Sequence, residues 1–366
     1  MPRRAVVAFA TIVGAALVLG GCKEGKGEDR PNVDVIDGGG AASASNSGAV
    51  EGYGDLLYFP ASNQDLNLAI GLDLQDIRSI LSAAARGDTV DWAAATTLYT
   101  RGKNQKQADG SLRSLASLAA REYPAAFPGE PPFIDAIIRG GLEGTGRGAG
   151  LSDNARRQLV DKGIQVLMYG RAMQALADAA ARFAGDARAA GASIDEAWAT
   201  LSGARDASTG SPNNGLLATA LGREEDFRLQ GRLARPLEST LLTALAASER
   251  KDAAAFTKAV GTARSYLDTI LYLSTLRYAK VLEADQRESD RQFHLAEAWA
   301  FFQAIRPRVA AASATQAQTV EAAYSRPATA EFPATATAQV YAALNDQAVL
   351  RALAIPAEFQ FKAPPQ

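Results

Sequence analysis

The chain has 366 residues, 47% of them apolar and 21% charged, with 38 basic side chains against 40 acidic ones and a single histidine. A charge this close to balance disfavours nucleic acid as a partner. One cysteine excludes an internal disulfide or a cysteine-built metal site, so stability has to come from burial.

The first predicted element is an export signal. Arg3 and Arg4 lead into an apolar run over 5–19, and "LGGC" follows. A basic start, an apolar centre and small residues before a cleavage point are the parts of a secretory signal. Cys22 directly after small residues, with Leu19 three positions earlier, is the pattern of bacterial lipoproteins, whose cysteine is acylated and becomes the mature N-terminus. The run falls short of the roughly 20 apolar residues that a membrane span needs. Residues 1–21 therefore read as a lipoprotein signal peptide, and Cys22 as a lipid anchor that holds the chain on a membrane surface without a spanning helix. Residues 22–50, rich in Gly, Ser and charge, read as a flexible tether. Lys23 after the cysteine favours the outer membrane, on its periplasmic side.

Beyond the tether, about 315 residues suffice for one large or two ordinary domains. Ala-rich segments with apolar residues three and four apart predict amphipathic helices over 73–86, 111–122, 154–183, 227–249, 252–283 and 287–306. "RGDT", "YPAAFPGEPP", "GSPNNG" and Pro307 punctuate them. Strand-like character is confined to "LLYFPAS" and the late "EFQFK". The expected fold class is all-α.

That helical body carries an internal echo. Trp92 and Trp198 stand 198 − 92 = 106 residues apart, and the same offset carries Leu115 to Leu221, Ile164 to Ile270, Leu167 to Leu273, Arg171 to Arg277 and Leu176 to Leu282. A duplicated helical bundle follows as an expectation: two diverged repeats of about 106 residues plus a truncated third that begins near Trp299. The implied units are 51–190, 191–290 and 291–366. Each tryptophan is expected to plug the same inter-helix joint.

Several phrases resemble a known family. "GKNQKQADGSLRSLASLAA", "FIDAIIRGGLEGTGRGAGLSDNARRQLVDKGIQVLMYGRAM", "GLLATALGREEDF", "TILYLSTLRYAKVLE" and "AEAWAFFQAIRPRV" are similar to the iron-assimilating, high-CO2-inducible periplasmic proteins of green algae and their bacterial relatives. The similarity runs in order over roughly residues 90–350. It implies an extracytoplasmic helical protein that helps a cell acquire iron by binding it or passing it on, and not an enzyme. The algal members carry several cysteines and this chain has none beyond Cys22, so no thiol contact is carried over. An imelysin-like lipoprotein is similar in class, but its Gly-x-His-x-x-Glu phrase lacks the glycine here.

Read residue by residue, the chemistry concentrates in two places. Asp290, His294 and Glu297 fall at i, i+4 and i+7 of a predicted helix, an oxygen- and nitrogen-rich face suited to iron or another divalent metal, with a solvated polar face as the plainer reading. Further ligands have to come from another helix, and Glu283, Asp285, Glu224, Glu225 and Asp226 are the richest supply. Arg171 and Arg277 sit inside apolar helical stripes, where a guanidinium has to snorkel, pair with a carboxylate or hold an anion. In the functional reading both arginines, with Lys162, line a cleft between the repeats and hold carbonate, a carboxylate or a ferric chelate. Tyr169, Tyr272 and Tyr278 lie near them and read as core. "GTGRGAG" reads as a connector, because a phosphate loop's Lys-Ser/Thr ending and preceding strand are missing. With one histidine and no Gly-x-Ser-x-Gly elbow, hydrolytic chemistry is not expected. Two functional readings follow: a lipid-anchored iron-binding protein that serves an envelope transporter, or an adaptor lipoprotein that binds another envelope protein.

Overall fold

The computed structural model describes Tyr58, Pro60–Gly203, Pro212 and the residues from Asn214 to Ala363. Cys22, the signal and the tether lie outside the described residues. The elements run α1 (Asp65–Leu81), α2 (Ala83–Arg86), α3 (Trp92–Arg101), α4 (Leu115–Ala119), α5 (Ile134–Glu143), α6 (Asp153–Arg182), α7 (Ala187–Ser202), α8 (Leu216–Asp226), α9 (Ala234–Glu249), α10 (Ala253–Ala284), α11 (Glu288–Ala312), α12 (Ala314–Tyr324), α13 (Ala334–Leu344) and α14 (Gln347–Ala352). Two 3-10 turns cover Gly146–Gly148 and Ala357–Phe359, and no strand occurs among the described residues. The fold is all-α.

The starts of these helices are written locally. Asp91, Ser114, Ser152, Asp186, Asp252, Ser313 and Asp346 each accept a hydrogen bond from a backbone N–H of the first turn. Such caps satisfy donors that have no partner inside the helix. The two longest helices, α6 and α10, carry enough apolar positions to be covered on most sides. Ile164, Leu167, Ile270 and Leu273 are fully buried. Helices α5 and α7 flank α6, α9 lies along α10, and α11 packs on both α6 and α10. One hydrophobic core runs from Tyr58 to Phe359.

Three expectations about elements need correction. The helix expected over 227–249 begins only at Ala234, because Arg228, Gln230 and Gly231 all take positive φ in the turn after α8. "EFQFK" closes as a 3-10 turn and not a strand, with Phe359 plugged into the core. Pro307 does not end its helix: α11 continues five residues further, to Ala312. The proline is buried, and the helix on either side of it is held, through Arg306 on Glu130 and through Arg308 on Asp268.

Candidate functional site

The seam between α6, α8, α10 and α11 holds a set of ionisable side chains inside the apolar body. Helices α10 and α11 are joined by only Asp285–Arg287, a link short enough to lay them antiparallel and adjacent. Asp285, the residue that ends α10, turns its carboxylate onto His294 of α11, 2.7 Å from Nδ1. One turn along, Glu297 is fully buried and receives Lys162 Nζ from α6 at 3.0 Å. Gln158, with its amide nitrogen toward Glu297, donates to the same carboxylate at 2.7 Å and accepts from Arg157 at 3.1 Å.

Lys162 also lies 3.4 Å from Asp161, whose other oxygen is held by Arg78 of α1 at 2.6 Å. Burial pushes the Asp161 carboxyl up, but the charges of Arg78 and Lys162 outweigh it and hold the group well below the usual carboxylate range. Gln165 bridges outward: it donates to Asp161 and accepts from Thr219 at 2.7 Å, which ties α8 to α6.

Across the seam, Arg223 of α8 and Arg277 of α10 both approach Asp226, each at 2.9 Å. Tyr278 sits among these groups. Its ring is 4.9 Å from the Arg277 guanidinium, 6.1 Å from the His294 ring and 6.0 Å from Phe301, and the Phe301 ring is in turn 5.7 Å from Lys162 Nζ. Cations over aromatic faces gain attraction in a desolvated setting.

Of the residues expected from the sequence, His294, Asp285, Glu297, Lys162, Arg277 and Asp226 thus belong to this one seam. The others have different partners. Asp290 pairs with exposed Arg287 at 2.7 Å, and Glu283 pairs with Lys280 at 3.3 Å. Glu224 accepts the N–H groups of Leu233 and Ala234 and so caps α9. Arg171 is buried against Glu196 of α7 at 2.6 Å and Asn67 of α1 at 3.0 Å, so it and Arg277 are held by different carboxylates. Beside it, burial and then the Arg171 charge pull Arg113 down to about 10. Arg223, Arg157 and Asp161 are the seam residues that sequence reasoning missed. For Arg223 a signal existed, since it stands three positions before Asp226 on the same helix.

Among the described residues, no group of three His, Cys, Asp or Glu side chains comes together as a metal-ligand set. The arrangement suits an anion or an anionic complex better than a bare cation: guanidinium and ammonium groups recognise carboxylates, and the carboxylates present are drawn to those same groups. Each tryptophan also ends on a carboxylate. Nε1 of Trp92, Trp198 and Trp299 donates to Asp153, Glu238 and Glu321 at 3.2, 3.1 and 2.7 Å. Compared with family models, curated proteins and solved structures, the chain matches none of them.

Proposed function

We propose that the protein is a lipid-anchored, extracytoplasmic, non-enzymatic binding protein for iron, taken as a ferric complex of a carboxylate- or carbonate-type anion. The observation that carries this reading is the gathering of Arg277 and His294 at the Tyr278 ring and of the Lys162–Glu297 pair at the adjoining Phe301 ring, inside an otherwise apolar helical body. Burying several charges together costs free energy that well-packed apolar side chains would not. Buried, clustered ionisable groups are where functional sites concentrate. Arginine forks and a lysine suit the carboxylates of a chelate, and imidazole and phenol oxygen suit the ferric ion. The pattern around Cys22 supports the anchor, and the similarity to the algal iron-assimilating family supports the cargo.

The duplication belongs to the same proposal. Helices α4, α5 and α6 match α8, α9 and α10 in order, in the length of the last member and in the packing of α5 on α6 and α9 on α10. An experimental structure in which the first trio fails to superpose on the second rejects it.

Calorimetry on the purified full chain tests the binding. Ferric citrate is expected to saturate at one complex per chain, ferrous sulfate to show no heat above buffer, and Lys162→Gln or Arg277→Gln to weaken ferric citrate roughly tenfold, the order of one charge-assisted hydrogen bond. Failure to bind any iron species, or binding indifferent to both substitutions, rejects the reading.

A further inference from the structure

On the other side of α11 from His294 lies a second place where charge and apolar surface meet. The glycine-rich stretch 144–150 forms one wall, residues 325–328 the opposite wall, and Gln292, Leu295 and Ala296 of α11 the floor, around a cleft of 280 Å³. That volume is near the lower end of small-ligand sites, which run from about 300 to 1,000 Å³. Both walls are fixed. Gly148 abuts Gly140 so closely that a Cβ there would lie 1.9 Å from the Gly140 carbonyl oxygen. Arg291, buried beneath, donates to the Ala328 carbonyl at 2.7 Å. The floor continues into a small apolar cluster of Ala155, Leu159 and Ala296, closed by Leu151 and Trp299.

Two arginines face this cleft, Arg147 and Arg326. Arg147 lies half-buried with its guanidinium 5.2 Å from the centre of the Trp299 ring, and one nitrogen donates to the Tyr324 carbonyl at 2.6 Å. Burial pulls the pKa of its guanidinium below the ordinary arginine value, and the nearby Glu321 offsets this only in part. Glu321 is already engaged, accepting from Trp299 Nε1 at 2.7 Å and from Gln303 at 2.9 Å. Among the described residues neither Arg147 nor Arg326 has a carboxylate within ion-pair distance. A half-desolvated guanidinium held over an indole, with fork positions left over and an apolar floor beside it, has the makings of an anion receptor with a hydrophobic wall. The larger depression between α11 and α12, 430 Å³, lacks this character, because its Arg306 is paired with Glu130.

We infer that the cleft between the 144–150 turn and residues 325–328 is a second binding site, which takes a small organic carboxylate with a compact apolar body. The carboxylate lies in the Arg147–Arg326 fork and the body on Leu151, Leu295 and Ala296. The site is separate from the Lys162–Glu297 seam and does not depend on the iron reading.

3-Phenylpropionate and its neutral amide, titrated calorimetrically into the full chain, test it. The acid is expected to bind once per chain, and the amide roughly tenfold more weakly, the order of one lost charge-assisted contact. Arg326→Gln, at an exposed side chain with no ion-pair partner, is expected to weaken the acid by about the same factor without moving the thermal midpoint. Arg147→Gln is expected to weaken it further. The inference is overturned by no binding of the acid, by equal affinity for acid and amide, or by an Arg326→Gln protein that binds as before. If Arg147→Gln fails to fold, the Arg326 variant and the amide decide the matter.

Discussion

Glu297 shows what a single residue in the seam is worth. Its carboxylate is fully buried and faced by Lys162 at 3.0 Å and the Gln158 amide at 2.7 Å. Removing one member of such a pair leaves the other charge buried with less compensation, a loss of about 3–5 kcal/mol in comparable cases. Glu297→Ala is therefore expected to lower urea stability by that order, and the double change Lys162→Met with Glu297→Leu by far less than the sum of the single changes. Equal additivity would mean the two groups do not feel each other. Asp161 adds a pH dependence. Its folded carboxyl lies below the ordinary value of 3.8, so the native state binds a proton less readily than the unfolded chain. The stability it contributes is complete above the ordinary carboxylate range and is lost as pH falls from there toward the lower folded value. Asp161→Asn is expected to flatten the acid side of a stability-against-pH curve below about pH 4. An unchanged acid limb would assign the acid sensitivity to other carboxylates. The sequence marked His294, Glu297, Lys162, Arg277 and Asp226 because their types and helical spacing are local facts. It left the pairing of His294 with Asp285 among several acidic choices, since which carboxylate crosses a turn depends on how α10 and α11 meet.

At the scale of elements, the helices most legible in the sequence are the long ones whose apolar period and cap are both strong. Residues 154–183 and 252–283 were expected, and α6 and α10 span Asp153–Arg182 and Ala253–Ala284. Signals that depend on tertiary context misled. Pro307 reads as a stop because it lacks an N–H, yet α11 runs through it with its flanks anchored by Arg306 and Arg308. The alternating "EFQFK" has a strand's period, but among the described residues no strand lies beside it to pair with, and it curls into a 3-10 turn. The stretch "GTGRGAG" was expected only to connect, and its glycines turn out to be sterically demanded: Gly144 takes φ +67° at the end of α5, and Gly148 touches the backbone of Gly140. Gly148→Ala is expected to displace the 146–148 turn from α5, with a thermal midpoint lower by several degrees, about 2 kcal/mol or more in a chain of this kind. Gly146→Ala is not expected to clash, since its Cβ meets nothing within 4 Å, although its φ of +50° adds modest strain. Equal losses at the two positions would show that backbone conformation, and not the close approach to Gly140, governs the turn.

For the whole molecule, the units expected at 51–190, 191–290 and 291–366 share a single hydrophobic core, and polar ties run between them as well. The deepest tie joins α6, α10 and α11. Arg308 makes a two-pronged contact with Asp268 and also meets the Tyr169 hydroxyl, which itself donates to Asp268 at 2.8 Å. Burial pushes the Tyr169 hydroxyl far above its ordinary range, and nearby Asp268 adds to this in spite of the opposing Arg308 charge. Such a continuous core predicts cooperative unfolding of the described body and not a loss of one repeat at a time. The three tryptophans make this measurable, since Trp92, Trp198 and Trp299 lie on α3, α7 and α11, one in each expected unit. In three variants that each keep one tryptophan and carry Phe at the other two positions, the urea midpoints by fluorescence are expected to coincide with one another and with helical circular dichroism. Replacing Arg308 by Met leaves Asp268 buried beside Tyr169 without its guanidinium, a change of about 3–5 kcal/mol by the same argument that applies to Glu297. That substitution is expected to lower all three midpoints together. A Trp299 transition that moves alone would mean that α11 can leave the bundle while α6 and α10 stay folded, and the seam that holds Lys162 against Glu297 would then be a contact that opens.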